Sequence, residues 1–177
     1  MIIENIIQAT SNDIPALIQL FKRATDVMIS QGIHQWNYTY PLAHHISADV
    51  DAGNVYIYWQ NDQIVGTITT NEDQDEQYKK IHWHHKVNKA MIIHRLAVNP
   101  DFQGLGIGKK LCLFAEQLAL SQSIRVMRLD AYSQNPVSIR LYHQLGYHRA
   151  NGFCYFHKNV IPFYCFDKWL EAGKIEA

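Results

Sequence analysis

The sequence predicts an α/β (α+β) fold of about seven strands flanked by about four helices, and three observations carry that expectation. Short runs rich in β-branched and aromatic residues recur along the chain, bounded by Asn, Asp, Gly and Pro. Between them lie stretches whose apolar residues repeat at helical spacing. The third is the run Ala90–Val98, which turns at Asn99-Pro100-Asp101, passes three alternate glycines and continues as an amphipathic helix. No internal repeat or low-complexity linker interrupts the pattern, so residues 1–177 are expected to form a single domain.

Taken in order, residues 2–9 read as a strand. Thr10-Ser11-Asn12-Asp13 is a cluster of good helix caps, and Ile14, Leu17, Ile18, Phe21 and Ala24 form a helical stripe with Pro15 in its first turn. An aromatic segment, Ile33 to Pro41, precedes a short helix over 42–52. Val55–Trp59 and Gln63–Thr69 flank Asn61-Asp62, a hairpin signal. Asn71 to Asn88 reads as a polar loop. Beyond the glycines, Ile107, Leu111, Phe114 and Leu118 share one helix face, and Val126–Tyr132 reads as a strand. The unit from 91 to 132 is therefore strand–helix–strand, the signature of a parallel crossover. Asn135-Pro136 starts a last helix with Ile139, Tyr142 and Leu145 inward and Gly146 past its end. Two further strands, Phe153–Phe156 and Val160–Trp169, are expected to join near His157-Lys158-Asn159.

The glycine stretch carries the chemistry. A helix start leaves several N–H groups without intrahelical partners and concentrates the positive end of the macrodipole, and glycines let an anion approach closely. Two familiar phosphate cradles are excluded by spacing. A P-loop needs four residues between its glycines followed by Lys-Ser or Lys-Thr, whereas Gly104 and Gly108 have three between them and Lys109 precedes Lys110. The dinucleotide fingerprint fails because its third glycine falls on Lys109 or Leu111.

What does fit is Gln103-x-x-Gly106-x-Gly108 directly after a strand ending Leu96-Ala97-Val98, followed by Asn135-Pro-x-Ser-x-Arg-Leu-Tyr142-x-x-x-Gly146-Tyr147. Together these motifs resemble the acetyl-coenzyme A signature of the GNAT superfamily of N-acetyltransferases, over roughly residues 91–147. The resemblance implies a mixed, mostly antiparallel sheet that splays apart between its two parallel strands, with coenzyme A entering the gap. It implies that Leu96, Ala97 and Val98, at a bulge, and Gln103, Gly104, Leu105, Gly106, Ile107, Gly108 and Lys109 bind acetyl-CoA, with Asn135 and Tyr142. Tyr142 matches a tyrosine that many members use as general acid toward the coenzyme A thiolate. An unperturbed pKa of about 10 suits a donor, while packing on the Ile139–Leu145 face accounts for the same residue. Asn135 is equally well explained as an N-cap.

Direct attack of an amine on a thioester also needs a proton acceptor. Some members carry a glutamate on the central strand where this chain has Ile92. His94 shares its parity, so it serves as a base candidate or as a structural hydrogen-bonding residue. Trp36, Tyr38 and Tyr40 wall an acceptor pocket or belong to the core, with Ile92 and His94 as the other substrate-facing candidates. Glu72, Asp73, Asp75 and Glu76 cluster in the polar loop, where a negative field would favour a cationic acceptor. His82-Trp83-His84-His85 invites a metal reading, but no closed ligand set with recognisable spacing appears, so no metal is expected.

Composition limits the alternatives. Sixteen basic residues balance sixteen acidic ones, so neither nucleic acid nor an anionic membrane is expected as a bulk partner. Hydrophobic content of 47% and charged content of 18% fit a soluble globular chain. Cys112, Cys154 and Cys165 form no Cys-x-x-Cys pair and read as buried free thiols in a reducing compartment, and no signal sequence is evident, so the cytoplasm is expected. The reading is an acetyl-CoA-dependent N-acetyltransferase acting on a small cationic amine or a peptide amine. A non-catalytic acyl-CoA-binding sensor on the same fold is the alternative. The sequence leaves the acceptor, the acyl group and the oligomeric state open, a homodimer included.

Overall fold

A computed structural model describes residues 5–156 and 160–171. Seven strands, β1 (Ile6–Gln8), β2 (Val55–Gln60), β3 (Gln63–Asn71), β4 (Met91–Val98), β5 (Val126–Tyr132), β6 (His148–Cys154) and β7 (Phe163–Trp169), are hydrogen-bonded in the order β1-β2-β3-β4-β5-β7-β6. Four helices accompany them: α1 (Ile14–Ser30), α2 (Ala43–Asp51), α3 (Ile107–Ser121) and α4 (Pro136–Gln144). β4 and β5 run parallel, while β1–β2, β2–β3, β5–β7 and β6–β7 are antiparallel, so the sheet is mixed as expected.

Local chemistry explains most boundaries. Asp13 accepts from both the N–H and the hydroxyl of Thr10 at 2.8 Å, and α1 starts directly after it. Asn61 and Asp62 have φ of 51° and 55°, the left-handed pair that a tight β2–β3 turn requires. Asn135 Oδ1 accepts the Ser138 N–H at 3.2 Å, and Pro136 supplies the first residue of α4. Gly146, at φ 81°, ends that helix.

The residues fall into two compact units. One comprises the chain up to Thr70 with Arg95–Phe114, the other Asn71–His94 with the chain from Ala115 onward. In the first, Leu17, Leu20, Phe21 and Ala24 of α1 pack with Ile46 and Val50 of α2 and with Val55, Ile57 and Ile64 of the hairpin. Asp49 of α2 and the Tyr40 hydroxyl both bind the Arg95 guanidinium of β4.

In the second unit the register assigns the two sheet faces. Arg128 lies opposite Asp167, Asp130 opposite Cys165, and Ile92 opposite Arg128, so these side chains share one face. The opposite face carries Phe166, against the rings of Tyr142 and His143 on α4, and Lys168, which binds Glu116 on α3. The segment 72–85 covers the first face, and α3 and α4 cover the other.

The last two strands differ from expectation. β6 begins at His148 rather than Phe153, and β7 begins at Phe163 rather than Val160. The chain pairs with β7 immediately after Gly146, through His148↔Asp167 and Arg149↔Phe166, and a register shift before Phe153 follows. Gly152, at φ 128°, sits within that shift, which breaks the alternation by which a strand is read. The expected junction at His157-Lys158-Asn159 lies outside the described residues. No helix among the described residues is long and apolar enough to cross a membrane.

Candidate functional site

In the first unit, β4 leads through the turn Pro100–Phe102, capped by Asn99, into the glycines. Gly104 and Gly106 adopt φ of 80° and 76°, and a Cβ at either would meet nothing within 4 Å. Left-handed backbone and open space together make a surface that a charged group can approach closely, at the N-terminal end of α3. Gln103 donates its N–H to the Pro100 carbonyl at 3.3 Å, so that amide is engaged in the turn. Leu105 and Lys109 are exposed, whereas Ile107 points into the core. The start of α3 is held by Gly66 on β3, where a Cβ would fall 2.8 Å from Ile107, 2.9 Å from Leu111 and 3.3 Å from the Ala97 carbonyl. Ala97 is buried, with Leu96 and Val98 half-buried beside it. Trp36 is a core residue, edge-on to Phe21 at 5.3 Å, while Tyr38 is largely exposed.

In the second unit, β4 pairs with β5 only through Met91↔Met127, Ile92↔Arg128 and Ile93↔Leu129. His94 and Asp130, the next residues, lie on the face shared by Ile92 and Arg128. Pairing ends there, with a titratable side chain on each strand. Ile92 is buried and His94 exposed. His94 Nε2 lies 2.6 Å from Asn71 Oδ1, which also accepts the Asp73 N–H at 2.8 Å. An amide oxygen only accepts, so Nε2 carries the proton of this bond.

Asp130 was not singled out by sequence. Its carboxylate Oδ2 accepts from the Tyr78 hydroxyl at 2.7 Å. Although the residue is partly accessible, burial under the covering segment pushes its pKa up to about 7; the Tyr78 bond pulls it down and the Asp75 charge pushes it up. A carboxyl that titrates near neutrality beside parted strands is suited to exchanging protons with a ligand. The available signal was the only carboxylate in the strand Val126–Tyr132, five residues before Asn135.

Tyr142 is buried in α4, edge-on to Tyr147 at 5.9 Å and tilted on Phe166 at 6.1 Å. Asn135 is buried and caps the same helix. The histidine run reads differently from a metal site. His84 and His85 direct Nδ1 at Asp167, at 2.7 and 3.2 Å, and the His85 N–H donates to the same carboxylate at 2.8 Å. His82 bridges to the Asn151 backbone. No group of three or more ligating side chains able to hold a metal occurs among the described residues. The acidic loop is also compensated: Lys79 pairs with Glu76 at 2.7 Å, Lys89 with Glu72 at 3.3 Å, and Lys80 and Lys86 lie in the same segment.

Known proteins share this fold. The model of the acetyltransferase (GNAT) family matches residues 16–147. A Bacillus subtilis (strain 168) protein named as the uncharacterized N-acetyltransferase YesJ is 21% identical over 159 residues, covering 86% of this chain and 88% of its own. A GNAT-family acetyltransferase from Streptococcus agalactiae 2603 superposes with a TM-score of 0.82 at 21% identity, covering 94% and 95% of the two chains. PaiA N-acetyltransferase from Thermoplasma acidophilum, solved with coenzyme A, does so with a TM-score of 0.63 at 17% identity, covering 93% and 98%. Members of the matched family use acetyl-CoA, and the open glycine-lined start of α3 suits an anionic cofactor. This chain belongs to the GNAT family of acetyltransferases.

Proposed function

We propose that the chain transfers the acetyl group of acetyl-CoA to a primary amine, with Asp130 as the general base and Tyr142 as the general acid. Bound acetyl-CoA supplies an activated acetyl thioester. The residues from Gly104 to Lys109 would hold its diphosphate through backbone N–H groups, with Leu96–Val98 along its arm. Asp130 takes a proton at its carboxylate from the incoming ammonium, and Tyr142 keeps a proton on its hydroxyl for the departing sulfur. The observation that carries the reading is the position of Asp130: a carboxyl with a pKa raised to about 7, on the strand that leaves its parallel partner one residue earlier.

His94 is the second candidate for the base. Asp130 is preferred because its pKa is raised to about 7 and a carboxylate oxygen accepts a proton without depending on a tautomer. The acceptor is a small cationic amine or a peptide amine, and the 72–89 segment, with four lysines against four carboxylates, adds no net field of its own. An acyl-CoA sensor would need neither proton-transfer group.

A thiol-release assay against a panel of polyamines, aminoglycosides, amino acid derivatives and peptides tests the reading. Tyr142→Phe should lower turnover ~10²–10⁴-fold with little change in coenzyme A affinity. Asp130→Asn should do the same and His94→Gln should not. Full turnover in Asp130→Asn would transfer the role to another group. Tight coenzyme A binding with no turnover across the panel would favour the sensor.

A further inference from the structure

We propose that Tyr78 is a positioning residue for the base: its hydroxyl occupies Asp130 Oδ2 and thereby dedicates Oδ1 to the proton of the acceptor. The inference rests on the assignment of Asp130 above and adds a residue from outside the family motifs. Tyr78 lies in a short turn, Glu76–Lys80, within the long segment between β3 and β4. A segment of that length without strands is uncommon unless it has a task.

The turn is fastened on every side. Asp75 caps it by accepting the Gln77 N–H at 2.8 Å. Gln77 then behaves like a strand residue toward Tyr155, donating to its carbonyl at 3.0 Å and accepting its N–H at 2.9 Å. Trp83 Nε1 donates to the Tyr78 carbonyl at 3.1 Å, and the Trp83 ring stands edge-on to Tyr78 at 5.0 Å. Arg128 lies 4.5 Å over the Trp83 ring and donates to the carbonyl of His85. Asp167, fully buried, holds His84 and His85 at the far end. Each fastening leaves the phenol of Tyr78 less freedom to leave Asp130.

Burial pushes the Tyr78 hydroxyl well above its ordinary pKa, so it remains a donor throughout the working range. The other groups around Asp130 are Asp75 from the same segment, Cys165 opposite it on β7 with Cys154 behind, Arg128 along its own strand, and His94 at the end of the β4 pairing. Among the described residues, Oδ1 accepts no hydrogen bond. A hydrogen bond to the ionised carboxylate favours the charged form, so the Tyr78 hydroxyl keeps Asp130 deprotonated to lower pH than burial alone would permit. It also prevents rotation of the carboxylate, which would exchange the two oxygens.

The test is Tyr78→Phe, which retains the buried ring and deletes only the donor. The acidic limb of the kcat/KM profile should move to higher pH by at least about half a unit. Turnover at pH 7 should fall roughly 3–10-fold, more in kcat than in acceptor KM. Coenzyme A affinity by calorimetry should be unchanged. In the wild-type chain the same bond should slow exchange of the Tyr78 hydroxyl proton enough for detection by NMR, a readout that does not depend on the variant folding. An unmoved profile in Tyr78→Phe while Asp130→Asn is inactive would reduce Tyr78 to packing, as would a fast-exchanging hydroxyl. Activity in Asp130→Asn would instead remove the base assignment on which the proposal stands.

Discussion

Lys168 Nζ meets both carboxylate oxygens of Glu116, at 2.8 and 2.7 Å, tying β7 to α3 with the glutamate almost wholly buried. The ammonium also lies 5.4 Å above the Tyr147 ring. Removing one partner of a buried pair leaves the other charge in a low dielectric, which costs more than the pair contributes. Lys168→Met should therefore destabilise the protein by roughly 3–5 kcal/mol. The double variant with Glu116→Leu should recover most of that loss. Chemical denaturation of the wild type, the single and the double variant measures both.

Asp130 should hold the opposite relation to stability. Its folded pKa of about 7 lies above the ordinary value, so the folded state binds its proton more tightly than the unfolded state does. Stability from this group is complete below about pH 4 and declines as pH rises toward 7, where the buried carboxylate ionises. Asn retains the acceptor for Tyr78 and cannot ionise. Asp130→Asn should be more stable than wild type at pH 8, by roughly 1–4 kcal/mol, and indistinguishable at pH 4. Equal denaturation midpoints at both pH values would contradict the raised pKa. Under the proposed mechanism this more stable variant is the inactive one, as expected where function holds a strained group in place.

Gly106→Ala asks whether the glycines are needed for approach or only for conformation. The site is open, so a methyl group clashes with nothing, but φ of 76° costs an L-residue roughly 1–2 kcal/mol. The variant should fold with a modestly lowered melting temperature and bind coenzyme A at least about tenfold more weakly, a loss of ~1.4 kcal/mol, by calorimetry. Unchanged affinity in a folded protein would put the diphosphate elsewhere.

The acidic stretch is expected to be electrostatically quiet. Glu72 and Glu76 are paired with lysines, so neutralising each pair together, Glu72→Gln with Lys89→Gln and Glu76→Gln with Lys79→Gln, leaves the net charge unchanged and removes little net field. Acceptor KM should stay within about twofold at low and moderate salt. A larger rise confined to low salt would restore a steering role to these carboxylates.

What was legible in the sequence was local. Asn135-Pro136 at a helix start, Asn61-Asp62 in a hairpin and the glycines before α3 each announce themselves within a few residues, because caps and turns are set by short-range geometry. The Tyr78–Asp130 contact spans 52 positions and no periodicity links its ends. The histidines at 84 and 85 suggested a metal because their partner, Asp167, lies more than 80 residues away. Trp36 gave equal signals for pocket and core, since an aromatic ring suits both, and only its packing on Phe21 separates them. The β6 boundary was missed because a register shift between Arg149 and Phe153 disrupts the alternation that marks a strand.

Gly66 bears on any attempt to transplant the proposed cofactor cradle. The helix start that offers its amides rests where a neighbouring strand has no side chain, with the Gly66 Cα hydrogen standing in for what would be a collision with Ile107 and Leu111. The recognition loop is therefore not a portable cassette. Moved without its glycine into a foreign sheet, the Gly104–Lys109 sequence would be lifted away from the strand beneath it, and with it the amides proposed to hold the diphosphate. A graft that carries the loop alone and one that also brings a glycine at the facing strand position should differ in whether they bind at all.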